Sequence, residues 1–249
     1  MTAYDAAFAA ADRYARAVEA GPAAAEAAAR EALTRCRAAL GVLLERLSDL
    51  GYPGGGAERP SRLNAVPGLA APLSPGAVAE VRAALPVEPP RVLELFWEIV
   101  GGIDLSDARD RAHVLFFAKR GLRPDTPESL VDPLVIEGPT EAWLERATDA
   151  LAAVPEDEAE LPLAPDAFAK DNLASDGPLT LAMNDDWTPL LEGEFAWAGR
   201  LRPRLAPASP DLLTYLRASV LECGGFPGLF GTTAFEDLRR LLTAGLPPF

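Results

Sequence analysis

Residues 92–102, VLELFWEIVGG, decide how the rest of the chain is read. Leu93, Phe96, Trp97 and Val100 fall at i, i+3, i+4 and i+7, which predicts a short helix with a wide apolar face. Gly101-Gly102 marks its end, where glycine reaches backbone conformations closed to other residues. Just upstream, Ser74-Pro75 has the form of a helix start, with serine as cap and proline in the first turn, for a helix running to about Leu85. Downstream the period changes. His113–Phe117 and Leu134–Ile136 are short apolar runs expected as strands. Thr140 is expected to cap a helix bearing Trp143, Ala147 and Leu151. Further strands are expected near 160–164, 178–183, 187–191 and 194–198, the last with Phe195 and Trp197 alternating. Ser209-Pro210 is expected to open a helix carrying Leu213, Leu216 and Val220, stopped by Gly224-Gly225. Thr233 and Glu236 have capping-box spacing for a final helix through Leu241, with Gly245 after it. Strands clustered in the middle with helices before and after predict an α+β fold, with a twisted, mainly antiparallel sheet flanked by helices.

Ahead of this region lie two more helical patterns. Tyr4, Phe8, Ala11, Ala15 and Val18 form one stripe, and Leu33, Cys36, Leu40, Leu43, Leu47 and Leu50 form another. Gly21-Pro22 separates them, so an antiparallel helical hairpin is expected over 1–50. Residues 51–73 hold five glycines and four prolines without a period, a composition expected of a linker. The Gly54–Gly56 run has no Lys-Ser/Thr after it and is not a phosphate loop. The resulting organisation is a hairpin over 1–50, a linker over 51–73 and an α+β domain over 74–249.

The charge is uneven. The 249 residues sum to −14 at pH 7, and the stretch 153–194 holds eleven acids against the single Lys170. Such a surface disfavours nucleic acid and anionic membrane and favours a basic protein. The carboxylates that point to partner binding are Glu156, Asp157, Glu158, Glu160, Asp185, Asp186, Glu192 and Glu194; the alternative is that they only solvate the surface. No apolar run approaches the ~20 residues of a membrane span, and the N-terminus lacks the basic start of a secretory signal, so a cytoplasmic protein is expected. Two cysteines, Cys36 and Cys223, are too few for a disulfide framework and are expected as buried thiols.

Catalytic signals are sparse. His113 is the only histidine, and no nucleophile motif accompanies it. Asp104, Asp107 and Asp110 share a 3-3 spacing, but they sit among Arg109 and Arg111 and do not fit a calcium loop. Asn184-Asp185-Asp186 offers oxygen ligands for a hard metal ion, yet such clusters between strands are first of all turns. No catalytic, metal or cofactor residue is therefore assigned, and no cofactor is expected. Phe226 and Phe230, in the Gly224–Phe230 segment, are expected to plug the core rather than anchor a partner.

Several segments together resemble the SUKH superfamily, the Smi/Knr-like group. Leu85-Pro86 with Val92–Gly102 is similar to the family's opening phrase. Leu163–Asp166, Lys170–Asn172 and Ser175–Gly177 resemble the mid-sheet segment of bacterial members. Asp211–Arg217 with Gly224–Gly228 resembles a closing helix and turn. The resemblance spans roughly 74–230, with Ser-Asp-Gly where Ser-Gly-Gly is more usual. It implies an α+β domain that binds protein and carries no catalytic residues. In bacteria it implies an immunity protein that neutralises a cognate toxin, a basic nuclease-type domain among the candidates. The rival readings are a carboxylate- or metal-dependent hydrolase using Asp185 and Asp186, and a structural or regulatory scaffold subunit. Oligomeric state is left open by the sequence.

Overall fold

The computed structural model describes residues 3–52, 68–106, 112–123, 128–152, 155, 159–165, 178–183, 185–192 and 209–249. The chain opens with helices α1 (Ala3–Glu19) and α2 (Pro22–Asp49). Gly21, with φ +110°, makes the break between them, and Pro22 starts α2 where no amide donor is needed. They pack against each other as the expected hairpin. On α2 the predicted stripe is buried from Leu33 to Leu47, and Ala25, Ala29, Ala32 and Ala39 widen it. On α1 the buried face differs from the predicted one. Ala10 and Tyr14 are buried and Ala15 is exposed. Alanine supplies so little contrast that several stripes fit this helix equally well. The face is chosen by Tyr14, whose hydroxyl donates to the Trp187 carbonyl at 2.6 Å.

Next come β1 (Gly68–Ala70), α3 (Pro75–Ala84), α4 (Arg91–Ile99), β2 (Gly102–Asp104), α5 (Ala112–Ala118), β3 (Val135–Ile136) and α6 (Glu141–Ala152). Strands β1, β2 and β3 form one antiparallel sheet in that order. β1 falls inside the stretch read as a linker; residues 53–67 of that stretch lie outside the described residues. Ser74 caps α3 by accepting the Ala77 amide hydrogen, and Thr140 accepts from the Trp143 amide at the start of α6, both as expected. Helix α4 buries Val92 through Trp97. It ends where expected, at Gly101 with φ +90°, where a side chain would collide with the Ala70 and Ala71 carbonyls.

The expected strand over His113–Phe117 is a helix instead. In α5, His113, Phe116 and Phe117 are buried and Leu115 stands 56% exposed, a helical alternation. A short continuous apolar run fits either element, and packing decides. Phe116 and Phe117 meet Tyr52 and Phe226 edge to face at 4.8–5.0 Å.

A second antiparallel sheet holds β4 (Glu160–Pro165), β5 (Pro178–Ala182) and β6 (Leu191–Glu192) in order. Leu161, Leu181 and Leu191 share one register row and are buried. The strand expected over 187–191 is reduced to β6 and a bridge between Leu190 and Asp211, because 185–188 is a turn. The candidate strand at 194–198 lies outside the described residues. The chain closes with α7 (Leu212–Arg217), a π-helical turn (Ala218–Glu222), a 3-10 turn (Pro227–Leu229) and α8 (Glu236–Thr243).

Two helix starts differ from expectation. Asp211, not Ser209, caps α7, accepting the Thr214 amide hydrogen at 3.0 Å. The Thr233/Glu236 capping box does not form. Phe235 stands in the cap position with φ +54°, held there as its ring packs on Phe117 at 4.8 Å. Phe226 and Phe230 are core residues, and Cys36 and Cys223 are buried and form no disulfide. One hydrophobic cluster joins all of this, running from Tyr14 and α2 through α4, α6 and the second sheet to Phe249.

An ion network fastens the hairpin to that core. Glu94, only 1% exposed, accepts from Arg82 and, at 2.6 Å, from Arg91. Arg91 reaches Glu26 on α2 at 3.0 Å, and Arg30 bridges Glu26 and Glu98 at 2.9 and 3.1 Å. A buried carboxylate needs such partners, since an unpaired charge in the interior is strongly unfavourable.

Candidate functional site

Four of the eight carboxylates singled out in the sequence fall among the described residues: Glu160, Asp185, Asp186 and Glu192. Glu156, Asp157, Glu158 and Glu194 lie outside them. The fold brings the four to one sheet. In β4–β5–β6 the row of Leu161, Leu181 and Leu191 faces the core, so the neighbouring positions Glu160, Thr180 and Glu192 face outward. Thr180 is paired with Glu192 across β5 and β6 and donates its hydroxyl to Glu160 across β4 and β5. Glu192 also takes a 3.4 Å contact from the Ser209 hydroxyl. Asp185 and Asp186 are exposed in the turn between β5 and β6. Among the described residues of this sheet and turn there is no lysine, arginine or histidine.

The two aspartates differ in what they can offer a partner. The Asp185 carboxylate accepts the amide hydrogens of Trp187 and Thr188 at 2.7 and 2.6 Å, the side-chain turn expected of this residue type. Its charge is committed to local structure. Among the described residues, Asp186 bonds through its backbone, accepting from the Val92 amide at the start of α4 at 2.9 Å. The residue itself is exposed. Asn184 lies outside the described residues, and no group of three or more His, Cys, Asp or Glu among the described residues is placed to hold a metal ion. Asp104 likewise serves a turn, accepting from Ser106 at 2.8 Å; Asp107 and Asp110 lie outside the described residues.

His113 is fully buried on α5, in the aromatic layer formed by Phe116 and Phe117. Arg217 and Tyr14 are among the buried polar residues that escaped the sequence reading. Arg217 is 3% exposed, and burial pulls its guanidinium below its usual value. Tyr14 lies beneath it, with the guanidinium carbon 5.8 Å from the ring centroid, and burial pushes the phenol up. Nothing in the pattern Leu212–Val220 marks Arg217 as buried, because arginine on a helix face ordinarily reads as solvent-exposed.

No protein-family model, no curated protein and no solved structure matches the chain. Among the described residues, no helix is long and apolar enough to cross a membrane.

Proposed function

We propose that the protein is a non-catalytic binding module that docks a basic protein on the outer face of the β4–β5–β6 sheet. The observation that carries this reading is the gathering of Glu160, Glu192, Asp185 and Asp186 on one sheet and its turn, with no described base among them. Carboxylates at this density attract a cationic surface at long range and speed its encounter. Leu161, Leu181 and Leu191 are buried beneath this face, and Glu160 and Glu192 stand on paired strands rather than on a loose tail. An immunity protein that captures a basic, nuclease-type toxin domain in the cytoplasm is the specific form of this role, in line with the resemblance to SUKH proteins. It needs no cofactor.

The test starts from a partner captured by pull-down and identified by mass spectrometry. Association and dissociation are then followed at two salt concentrations, with Glu160, Asp186 and Glu192 each changed to Lys. Asp185 is left intact because its carboxylate holds the turn. Exposed charges are screened beyond about 8 Å at physiological ionic strength. Association should therefore slow with added salt and with charge reversal, while dissociation changes much less. An acidic partner, or an association rate indifferent to both changes, overturns the proposal.

A further inference from the structure

The outer face of the β4–β5–β6 sheet is not acidic throughout. Leu190, immediately before β6, is 41% exposed, and among the described residues it shares that prominence with Leu115 on α5 and Leu241 on α8. A lone exposed leucine is ordinary on any protein. The register makes this one informative. Leu191 faces the core, so Leu190 and Glu192 on either side of it face outward. Glu160 is paired with Ala182 across β4 and β5, and the Ala182 amide donates to the Leu190 carbonyl at 2.9 Å across β5 and β6. Glu160, Ala182 and Leu190 therefore form one cross-strand row, with Thr180 and Glu192 in the next.

Strand spacing sets the scale of this patch. The Leu190 backbone lies about 10 Å from that of Glu160, two strands away, and about 7 Å from that of Glu192, two residues along. The leucine is anchored. Its backbone pairs with Ala182 on one side and bridges to Asp211 on the other. The turn that leads to it is tied to α1 by the Tyr14 hydroxyl on the Trp187 carbonyl at 2.6 Å, and to α4 by the Val92 amide on the Asp186 carbonyl at 2.9 Å. Its exposure therefore does not come from a frayed strand end.

We infer that Leu190, with half-buried Ala182 beside it, is the apolar centre of the docking face, and that the partner is a basic protein surface carrying an apolar side chain between two basic ones. The inference rests on the acidic-face reading above and adds the contact that holds the complex once charge has brought it together. Charge complementarity chooses the occupant: Glu160 and Glu192 flank the leucine, so they favour a cationic surface and oppose a second copy of this chain, whose net charge is −14. Interfaces concentrate their energy in an apolar centre whose polar surround excludes water. The carboxylates then govern association, and Leu190 governs dissociation.

The probes are two synthetic peptides of equal length and charge, one alternating lysine with leucine and the other lysine with threonine. Each is labelled, and its fluorescence anisotropy is followed as the full chain is titrated in. Wild type should bind the leucine peptide about fivefold tighter, the change expected from covering the 41% of Leu190 that is exposed. Leu190→Thr keeps a residue suited to a paired strand; it should erase that preference and leave threonine-peptide binding unchanged. Leu190→Met, which keeps the apolar surface, should retain the preference, and so should Leu241→Ala on α8. Glu192→Lys should weaken both peptides and preserve their ratio. A preference that survives Leu190→Thr, or that is lost in Leu241→Ala, overturns Leu190 as the centre and leaves the acidic face standing. Binding of neither peptide, or binding indifferent to Glu192→Lys, overturns the acidic face itself and this inference with it. A dimer of the chain alone in sedimentation, dissolved by Leu190→Thr, gives the face to a second copy and overturns the basic partner.

Discussion

Leu43→Ala tests whether the N-terminal hairpin is an appendage or part of the core. Leu43 sits on α2 with no exposed surface, and its Cδ2 lies 3.2 Å from where a side chain at Gly225 would begin. It therefore spans the hairpin and the C-terminal turn that follows α7. Truncating a fully buried leucine removes its transfer energy and leaves a cavity, for a loss of ~2–5 kcal/mol. Leu43 has no exposed surface, and about 3 kcal/mol, within that range, is expected. For a chain of this length that corresponds to a fall in Tm of roughly 6–12 °C. Urea unfolding should be followed by two probes. All four tryptophans lie outside 1–50, so their fluorescence reports on the α+β part. Far-UV circular dichroism draws nearly half of its α-helical signal from the two hairpin helices, which hold no tryptophan. If the hairpin and the rest share one core, Leu43→Ala lowers both midpoints together. A tryptophan transition that stays at its wild-type midpoint while the helical signal shifts would refute the shared core and restore an independent hairpin joined by a linker.

Gly225→Ala places a Cβ 2.5 Å from Leu105 Cδ1 at a backbone with φ +88°; left-handed strain and overpacking together should lower stability by about 2–4 kcal/mol in urea melts, and a neutral result would mean the turn re-forms freely. Glu26 tests the ion network by pH. Hydrogen bonds from Arg91 and Arg30 hold its carboxyl below the ordinary 4.5, so its contribution is present above pH 4.5 and is lost as pH falls through the lower folded value. Because Glu26 is over one-third exposed the effect is small, but Glu26→Gln should differ from wild type near neutrality and converge with it in acid. A urea-midpoint difference that stays constant across that range would mean the carboxylate contributes no charge interaction.

Much of the fold was legible because its signals are local. Leu33 through Leu47 repeat at helical spacing whatever they pack against, and each is buried. Ser74 and Thr140 cap their helices through atoms three residues away. The α+β class followed from where strands and helices fall along the chain. The acidic face was legible in part: the count of acids over 153–194 is visible in the sequence. That Glu160 and Glu192 flank one threonine on one outward face depends on the pairing of β4, β5 and β6.

By itself, then, the sequence determined the hairpin, the helix ends at Ser74, Gly101 and Thr140, the burial of Phe226 and Phe230, and the excess of carboxylates. Each rests on periodicity, capping chemistry or composition, which act over a few residues. Tertiary structure alone decided that His113–Phe117 is a helix, because an apolar run of five residues takes the geometry that its neighbours can bury. It decided that α1 turns on Tyr14, because alanines do not discriminate between faces. It set Phe235 in a left-handed cap, because stacking on Phe117 outweighs a capping box. And it buried Arg217 beside Arg13 and Arg35, residues some 200 positions apart, because the energy of a buried charge depends on what surrounds it in space and not on its neighbours along the chain.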